Sequence, residues 1–142
     1  MVNPITRTYR LFKQNFGIAN HLLLVRNTKY RIVLSKFRNS SHLLAIEQGR
    51  HTKPKTDIEK RLCHFCNIVE DEIHFLVNCG VYSHERKTLF DKAQSKFPNF
   101  LNLDDQKKFV MILSCDDSQV LTSVGKFLHL SFLKREEFLS CL

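Results

Sequence analysis

Four glycines and three prolines in 142 residues, apolar residues recurring three and four apart, and one tight group of Cys and His predict a mainly α-helical domain stapled by a small CCHC site with a minor hairpin. Helix breakers are too scarce for an architecture of many short strands and turns. Hydrophobic residues make up 43% of the chain, with 12 Phe and no Trp, which is enough for one core. The expected parts are a basic helical stretch at 1–50, a Cys/His module with its following helix at 51–98, and a C-terminal helical pair at 99–142, all within one compact domain.

The elements follow in order. A first helix is expected over 6–15, with Thr6 as cap, Tyr9, Leu11, Phe12 and Phe16 apolar, and Asn15-Phe16-Gly17 as its end. His21 to Val25 is a short apolar run whose periodicity does not separate helix from strand. From Thr28 to Phe37 a helix is clear: Tyr30, Val33, Leu34 and Phe37 share one face at about 100° per residue, with Lys29 and Lys36 on one flank and Arg31 and Arg38 on the other. Such flanks either reach phosphates or snorkel around an ordinary buried stripe. Tyr30 and Phe37 are read as core ahead of base-stacking groups. Asn39-Ser40-Ser41 is the expected cap of a short helix carrying Leu43, Leu44 and Ile46, stopped by Gly49. Residues 50–61 have no apolar period, contain Pro54, and carry Arg50, His51, Lys53, Lys55, Lys60 and Arg61. That composition describes a loop or extended arm.

The arm runs into Cys63-His64-Phe65-Cys66, followed by His74 and Cys79, a Cys-x2-Cys-x7-His-x4-Cys pattern. Two thiolates from one tight turn, an imidazole and a further thiolate form the Cys3His tetrahedron that suits Zn2+ and not the oxygen-seeking metals. The ligands assigned are Cys63, Cys66, His74 and Cys79. The alternative is a set of unrelated buried thiols and a surface His. Four protein ligands close the site, so its expected role is structural rather than catalytic. Between the ligands, Glu70-Asp71-Glu72 places acid at the N-terminus of a short helix bearing His74, with Phe75 and Val77 buried. A longer helix then carries Tyr82, Leu89, Phe90, Ala93 and Phe97 and stops at Pro98. Asp104 or Asp105 caps a helix with Phe109, Ile112 and Leu113, and Asp116 or Asp117 caps the last, with Val120, Val124, Phe127 and Leu128 in register. His51 and His84 are read as surface residues, and Cys115 and Cys141 as reduced packing residues.

Charge is unevenly placed. Residues 1–61 hold 13 of the 22 Lys/Arg and 3 of the 14 Asp/Glu, so that end carries +10 and the rest −2, which together make the net +8. A half so basic attracts a polyanion, where a balanced basic protein would fit a merely solvated surface better. There is no run of 18 apolar residues to span a membrane, and the first ten residues lack a secretory core and cleavage site. Unpaired cysteines point to a reducing compartment, nucleus or cytoplasm.

Three stretches carry a resemblance: Arg38-x-Ser40-Ser41-His42-x-Leu44-x-Ile46-Glu47-x-Gly49-Arg50, Arg61-Leu62-Cys63-x-x-Cys66, and Val69-Glu70-Asp71-Glu72-x-His74-Phe75-Leu76-x-x-Cys79. Together they resemble the C-terminal region of the reverse transcriptases of non-LTR (LINE-type) animal retrotransposons. Leu23-Leu24-Val25-x-Asn27-x-Lys29-Tyr30-Arg31 and Leu34-x-Lys36-Phe37-Arg38 look like the same proteins, and so, more weakly, do 109–113 and 125–130. In that family this region follows the polymerase domain and ends in a zinc knuckle-like element thought to contact RNA or target DNA. Gly80 departs from the Pro these proteins often have there, which should loosen the chain's exit from the site.

The resemblance implies a non-catalytic, zinc-binding segment whose partner is retroelement RNA or target DNA. Polymerase and endonuclease motifs are missing, since Asp104-Asp105 and Asp116-Asp117 sit where helix caps are expected; a Cys63/His64 nucleophile pair is disfavoured because adjacent residues point apart and no third orienting group accompanies them. Phosphate contacts are expected from Lys29, Arg31, Lys36, Arg38, Arg50, Lys53, Lys55, Lys60 and Arg61. His64 and Phe65, in the turn between the first two ligands, either meet unpaired bases or pack against the metal turn. The competing expectation is a protein-interaction or structural remnant, with a protein partner on the C-terminal helices and no selected nucleic-acid binding.

Overall fold

The computed structural model describes residues 8–12 and 19–142. Its α-helices are α1 (Tyr9–Phe12), α2 (Asn20–Leu24), α3 (Thr28–Arg38), α4 (Ala45–Gln48), α5 (Ser83–Lys96), α6 (Asp105–Ser114) and α7 (Ser118–Ser140). Short 3-10 turns lie at Ile58–Lys60, Gly80–Tyr82 and Phe100–Asn102, and a π turn at His74–Asn78. The one β pairing among the described residues is the antiparallel bridge Leu62–Val69. The fold is mainly helical with a minor hairpin at the Cys pair, as the sequence predicts.

Helix α7, at 23 residues, is the spine against which α2, α3, α5 and α6 pack. Its contact with α3 is close because position 125 is Gly: a Cβ there would lie 2.6 Å from Tyr30 Cβ and 3.1 Å from the Tyr30 carbonyl oxygen. The helices start where Asp and Asn stand. Asp104 accepts from the Lys107 amide at 2.8 Å, Asp117 from Val120 at 2.9 Å and Asn27 from Tyr30 at 3.2 Å, each satisfying one amide that helix geometry leaves open.

Of the expected core, Leu34, Phe37, Leu44, Ile46, Phe75, Leu89, Phe109, Leu113, Val124 and Phe127 are buried, and Tyr30, Val33 and Phe90 pack half-buried against them. Phe75, from the π turn, sits at the centre. Its ring lies 4.6 Å from Phe132, 4.8 Å from Tyr82, 5.8 Å from Phe127 and 6.5 Å from Phe37. The Cys/His module is therefore part of the core, not an appended finger.

Several expectations change. The ambiguous run at His21–Val25 is helical through Leu24. Of the first helix, Tyr9–Phe12 is present, while Thr6 and the expected end at Asn15-Phe16-Gly17 lie outside the described residues. The segment after α3 does not start a helix at Ser41. Ser40 takes a positive φ of 59°, a conformation awkward for an L-residue, and α4 begins only at Ala45. Gly49 has helical φ and ψ, so it ends α4 without left-handed backbone. Its missing Cβ makes room for the Arg61 side chain, whose Cγ would otherwise be 2.5 Å away. Cys115 is half-buried, but Cys141 is exposed rather than a packing residue.

Candidate metal centre

Each ligand is delivered by a separate piece of local geometry. The Leu62–Val69 bridge, with the Cys63 amide donating to Ile68 O at 2.7 Å and Asn67 to Cys63 O at 3.2 Å, closes the turn that presents Cys63 and Cys66. Asn67 takes φ 57° there, a left-handed position that Asn tolerates better than most residues. Asp71 Oδ1 accepts the His74 amide at 2.8 Å and caps the following turn. That turn is π, not α: the Cys79 amide donates to His74 O, five residues back, at 2.7 Å. In an α-helix, residues five apart diverge by about 140°. The wider turn returns Cys79 to the side of His74, so the x4 spacing is what the π geometry converts into a shared site.

The four donor atoms of Cys63, Cys66, His74 and Cys79 lie within 4.8 Å of one another. Cys79 Sγ is 4.0 Å from Cys63 Sγ and 3.7 Å from Cys66 Sγ, close to the roughly 3.8 Å edge of a tetrahedron with metal–sulfur bonds of about 2.3 Å. Cys63, His74 and Cys79 are buried and Cys66 is half-buried. Both His74 ring nitrogens are buried without a hydrogen-bond partner, a costly state unless a ligand engages one of them. Burial also lowers the His74 pKa, keeping the imidazole neutral with a lone pair to donate. It pushes the Cys79 thiol up to about 12, with the neighbouring Cys63 and Cys66 adding to the rise. Three thiolates so close need a cation among them. The donor set fits a metal ion.

Buried charges brace this centre. Arg86 Nε donates to Leu76 O at 2.9 Å, Nη1 to Cys79 O at 2.8 Å and Nη2 to Phe75 O at 3.0 Å, taking up the carbonyls at the end of the π turn. Glu70 makes a two-pronged pair with Arg135 at 2.7 and 3.0 Å and accepts the Ala45 amide at 2.7 Å, joining the hairpin to α7 and α4. Glu72 accepts from His42 Nε2 at 2.9 Å and Ser40 Oγ at 3.3 Å. Of the three acids expected to act on a helix dipole, only Asp71 does so as a cap, while Glu70 and Glu72 are interior hydrogen-bonding groups.

The arginines expected to meet phosphate are largely committed to the fold. Arg38 is buried, its guanidinium 4.3 Å from the Phe12 ring centroid and donating to Leu113 O at 2.8 Å, and burial lowers its pKa to about 10. It is no flank cation, because Leu34 plus one turn falls on the buried stripe. Arg61 donates to Ile46 O and Thr56 O at 2.8 and 2.9 Å. Arg50 pairs with Glu47 at 2.9 Å, and Arg31 donates to Val25 O at 3.1 Å. Lys29, Lys36, Lys53, Lys55 and Lys60 are exposed, Lys60 with only a 3.7 Å contact to Asp57. His64 is exposed, as are His51 and His84. Phe65 is 43% exposed and leans edge-on against Phe138 at 5.4 Å. The site thus gains Arg86, Glu70, Arg135 and Phe138, which the sequence reading did not assign to it. For the two arginines a signal existed: Arg86 lies one helical turn from Leu89, and Arg135 two turns from Leu128, on the apolar faces of their helices.

Comparison with protein-family models, curated proteins and solved structures gives no match to this chain.

Proposed function

We propose that this chain is a zinc-stabilised nucleic-acid-binding module, akin to the non-catalytic C-terminal segment of a LINE-type reverse transcriptase, that holds RNA or DNA mainly through phosphates. The observation that carries the reading is the fate of the basic residues: the folded domain ties the arm down at Arg61, beside Cys63, and leaves Lys53, Lys55 and Lys60 in solvent. Cys63, Cys66, His74 and Cys79 would hold Zn2+, which matches the soft donor set and the spacing between the sulfurs. The ion would supply structure, fixing the hairpin and the π turn, with no reaction step assigned to it. With Lys29 and Lys36 added, four to five neutralised phosphates correspond to a log–log salt slope of about −3 on single strands.

A salt titration of zinc-loaded protein with labelled single-stranded RNA, single-stranded DNA and duplex tests this. Joint replacement of Lys53, Lys55 and Lys60 by Ala should flatten the slope by about 2 with zinc content unchanged. A salt-independent signal, or no binding at low salt, would discard the reading.

One observation favours the second reading, a protein-docking remnant. Between α5 and α7 runs a groove of about 570 Å³ floored by Leu89 and Phe127. Along it Leu130, Leu133 and Phe138 are 40%, 48% and 37% exposed.

A further inference from the structure

We infer that the exposed stripe of α7 from Lys126 to Glu137 pairs with the same stripe of a second copy of this chain, the two helices running antiparallel about a two-fold axis. The inference goes beyond the nucleic-acid reading and needs no part of it. Lys126, Leu130, Leu133 and Glu137 are all exposed, all line the α5/α7 groove, and follow one another at spacings of four, three and four residues. At about 100° per residue they fall within about 60° of each other around the helix. Leu130 and Leu133 are 40% and 48% exposed. The middle of the stripe is therefore apolar, and its two ends carry opposite charges.

The order of the four residues decides the partner. The midpoint between Leu130 and Leu133 is also the midpoint between Lys126 and Glu137. A two-fold axis through that point sets each Leu130 against the partner's Leu133 and each Lys126 against the partner's Glu137. One register thus forms the apolar contact and both ion pairs together, which is the self-complementarity an isologous contact requires. A parallel pair would set Lys126 on Lys126 and Glu137 on Glu137, and like charges facing each other disfavour it. Exposed Glu136 comes to the same end as the partner's Lys126 and adds to the attraction. Of the other charges on the groove, Lys134 pairs with Glu85 of its own chain at 3.2 Å, and His84 stands on the α5 rim. Among the described residues no salt bridge takes up Lys126 or Glu137, so both keep their charge for a second copy.

Length sets the strength of the pair. The stripe is about 16 Å long. Phe138, 37% exposed, and Phe65, edge-on to it at 5.4 Å, extend the apolar surface on the groove side. A contact of this length lies at the small end of specific interfaces, below about 1,200 Å² in all. The pair therefore dissociates in roughly the 10–100 μM range.

The experiment is sedimentation equilibrium of the zinc-loaded full chain without nucleic acid, from about 5 to about 500 μM, which should show monomer and dimer in exchange. Lys126→Glu and Glu137→Lys should each weaken the dimer about tenfold, because both end contacts become like-charged. An equimolar mixture of these two variants should associate as tightly as the unsubstituted chain, and so should one chain carrying both exchanges. Leu133→Asp should abolish pairing. Zinc content and circular dichroism should be unchanged in every variant, so that a loss of pairing is not a loss of fold. A monomer across the whole range overturns the inference and leaves the face to a protein of another kind. A dimer indifferent to Leu133→Asp and to the charge exchanges is held elsewhere, which overturns it equally. Single exchanges that weaken the dimer without rescue in the mixture overturn the antiparallel register. None of these outcomes touches the salt titration, and failure of that titration leaves the pairing standing.

Discussion

Replacing Arg86 by Met keeps an unbranched, apolar stem and deletes the guanidinium that holds the carbonyls of Phe75, Leu76 and Cys79 at 3.0, 2.9 and 2.8 Å. Phe75 O and Leu76 O belong to the π turn, whereas Cys79 O also accepts the Tyr82 amide at 3.3 Å and so loses less. Each buried carbonyl left unpaired costs on the order of 1–3 kcal/mol. Against that, the variant no longer buries a charge, whose desolvation is reflected in the lowered Arg86 pKa. A net loss of roughly 2–4 kcal/mol follows, a large share of the roughly 5–15 kcal/mol typical of a domain. Because one of the carbonyls belongs to Cys79, the loss should also reach the metal, with affinity falling roughly tenfold or more as for other groups that orient ligands. Urea denaturation followed by far-UV circular dichroism, with and without zinc, measures the first effect. Competition against a chromophoric chelator measures the second. An unchanged midpoint together with unchanged metal affinity would refute the idea that Arg86 ties the π turn. Arg86→Lys should fall between, since one ammonium cannot span three carbonyls in a fixed plane.

Other expectations follow from the same contacts. One zinc ion per chain is expected by elemental analysis, and chelation should unfold the whole domain in a single transition, since Phe75 lies between the metal turn and Phe37, Phe127 and Phe132. A melt confined to residues 59–82 would count against coupling to the whole domain, and no melt at all against the staple. Glu70→Gln should cost about 3–5 kcal/mol in chemical denaturation by leaving the Arg135 charge buried without its partner, and adding Arg135→Met should recover part of it. Gly125→Val should lower stability by about 1–3 kcal/mol through overpacking against Tyr30, whereas Gly80→Ala, with open space around it, should leave the melting temperature within error.

Much of the molecule is legible in its sequence, for identifiable reasons. The stripes of α3, α5, α6 and α7 repeat over two turns or more, and the start of α6 and of α7 is marked by paired aspartates, so the helices and most of the core follow from periodicity and capping. The ligand set follows from spacing, because thiols and imidazole so close in sequence have few other uses together. What spacing did not reveal is how His74 and Cys79 come to one side. An α turn would separate them, and the π turn depends on Arg86 and on the burial of Phe75, both tertiary effects. Ser40 is a similar case. Its left-handed backbone and its bond to Glu72, 32 residues away, override the cap that Asn39-Ser40-Ser41 suggests locally.

The cations show where a reading from charge alone goes astray, and the chemistry of the two basic side chains explains the outcome. The cations drawn into the interior or against backbone carbonyls are mostly arginines: Arg31, Arg38, Arg61, Arg86 and Arg135. The basic half leaves Lys29, Lys36, Lys53, Lys55 and Lys60 in solvent. A planar fork of donors can satisfy two or three oxygens fixed by the fold, and it is less strongly hydrated than an ammonium, so its burial is less costly. Arg10 and Arg26 remain exposed and Lys134 is partly engaged, so the division is a tendency with a physical cause. Its consequence for function is direct. Exchanging Lys53, Lys55 and Lys60 for Arg should preserve the salt slope, because the count of phosphates neutralised is unchanged. Exchanging Arg38 or Arg86 for Lys should cost stability at constant net charge. Binding titrations beside denaturation curves for the two sets would separate the arginines that build the domain from the lysines left to meet a ligand. Equal loss of stability in both sets would show that the division has no basis in the fold.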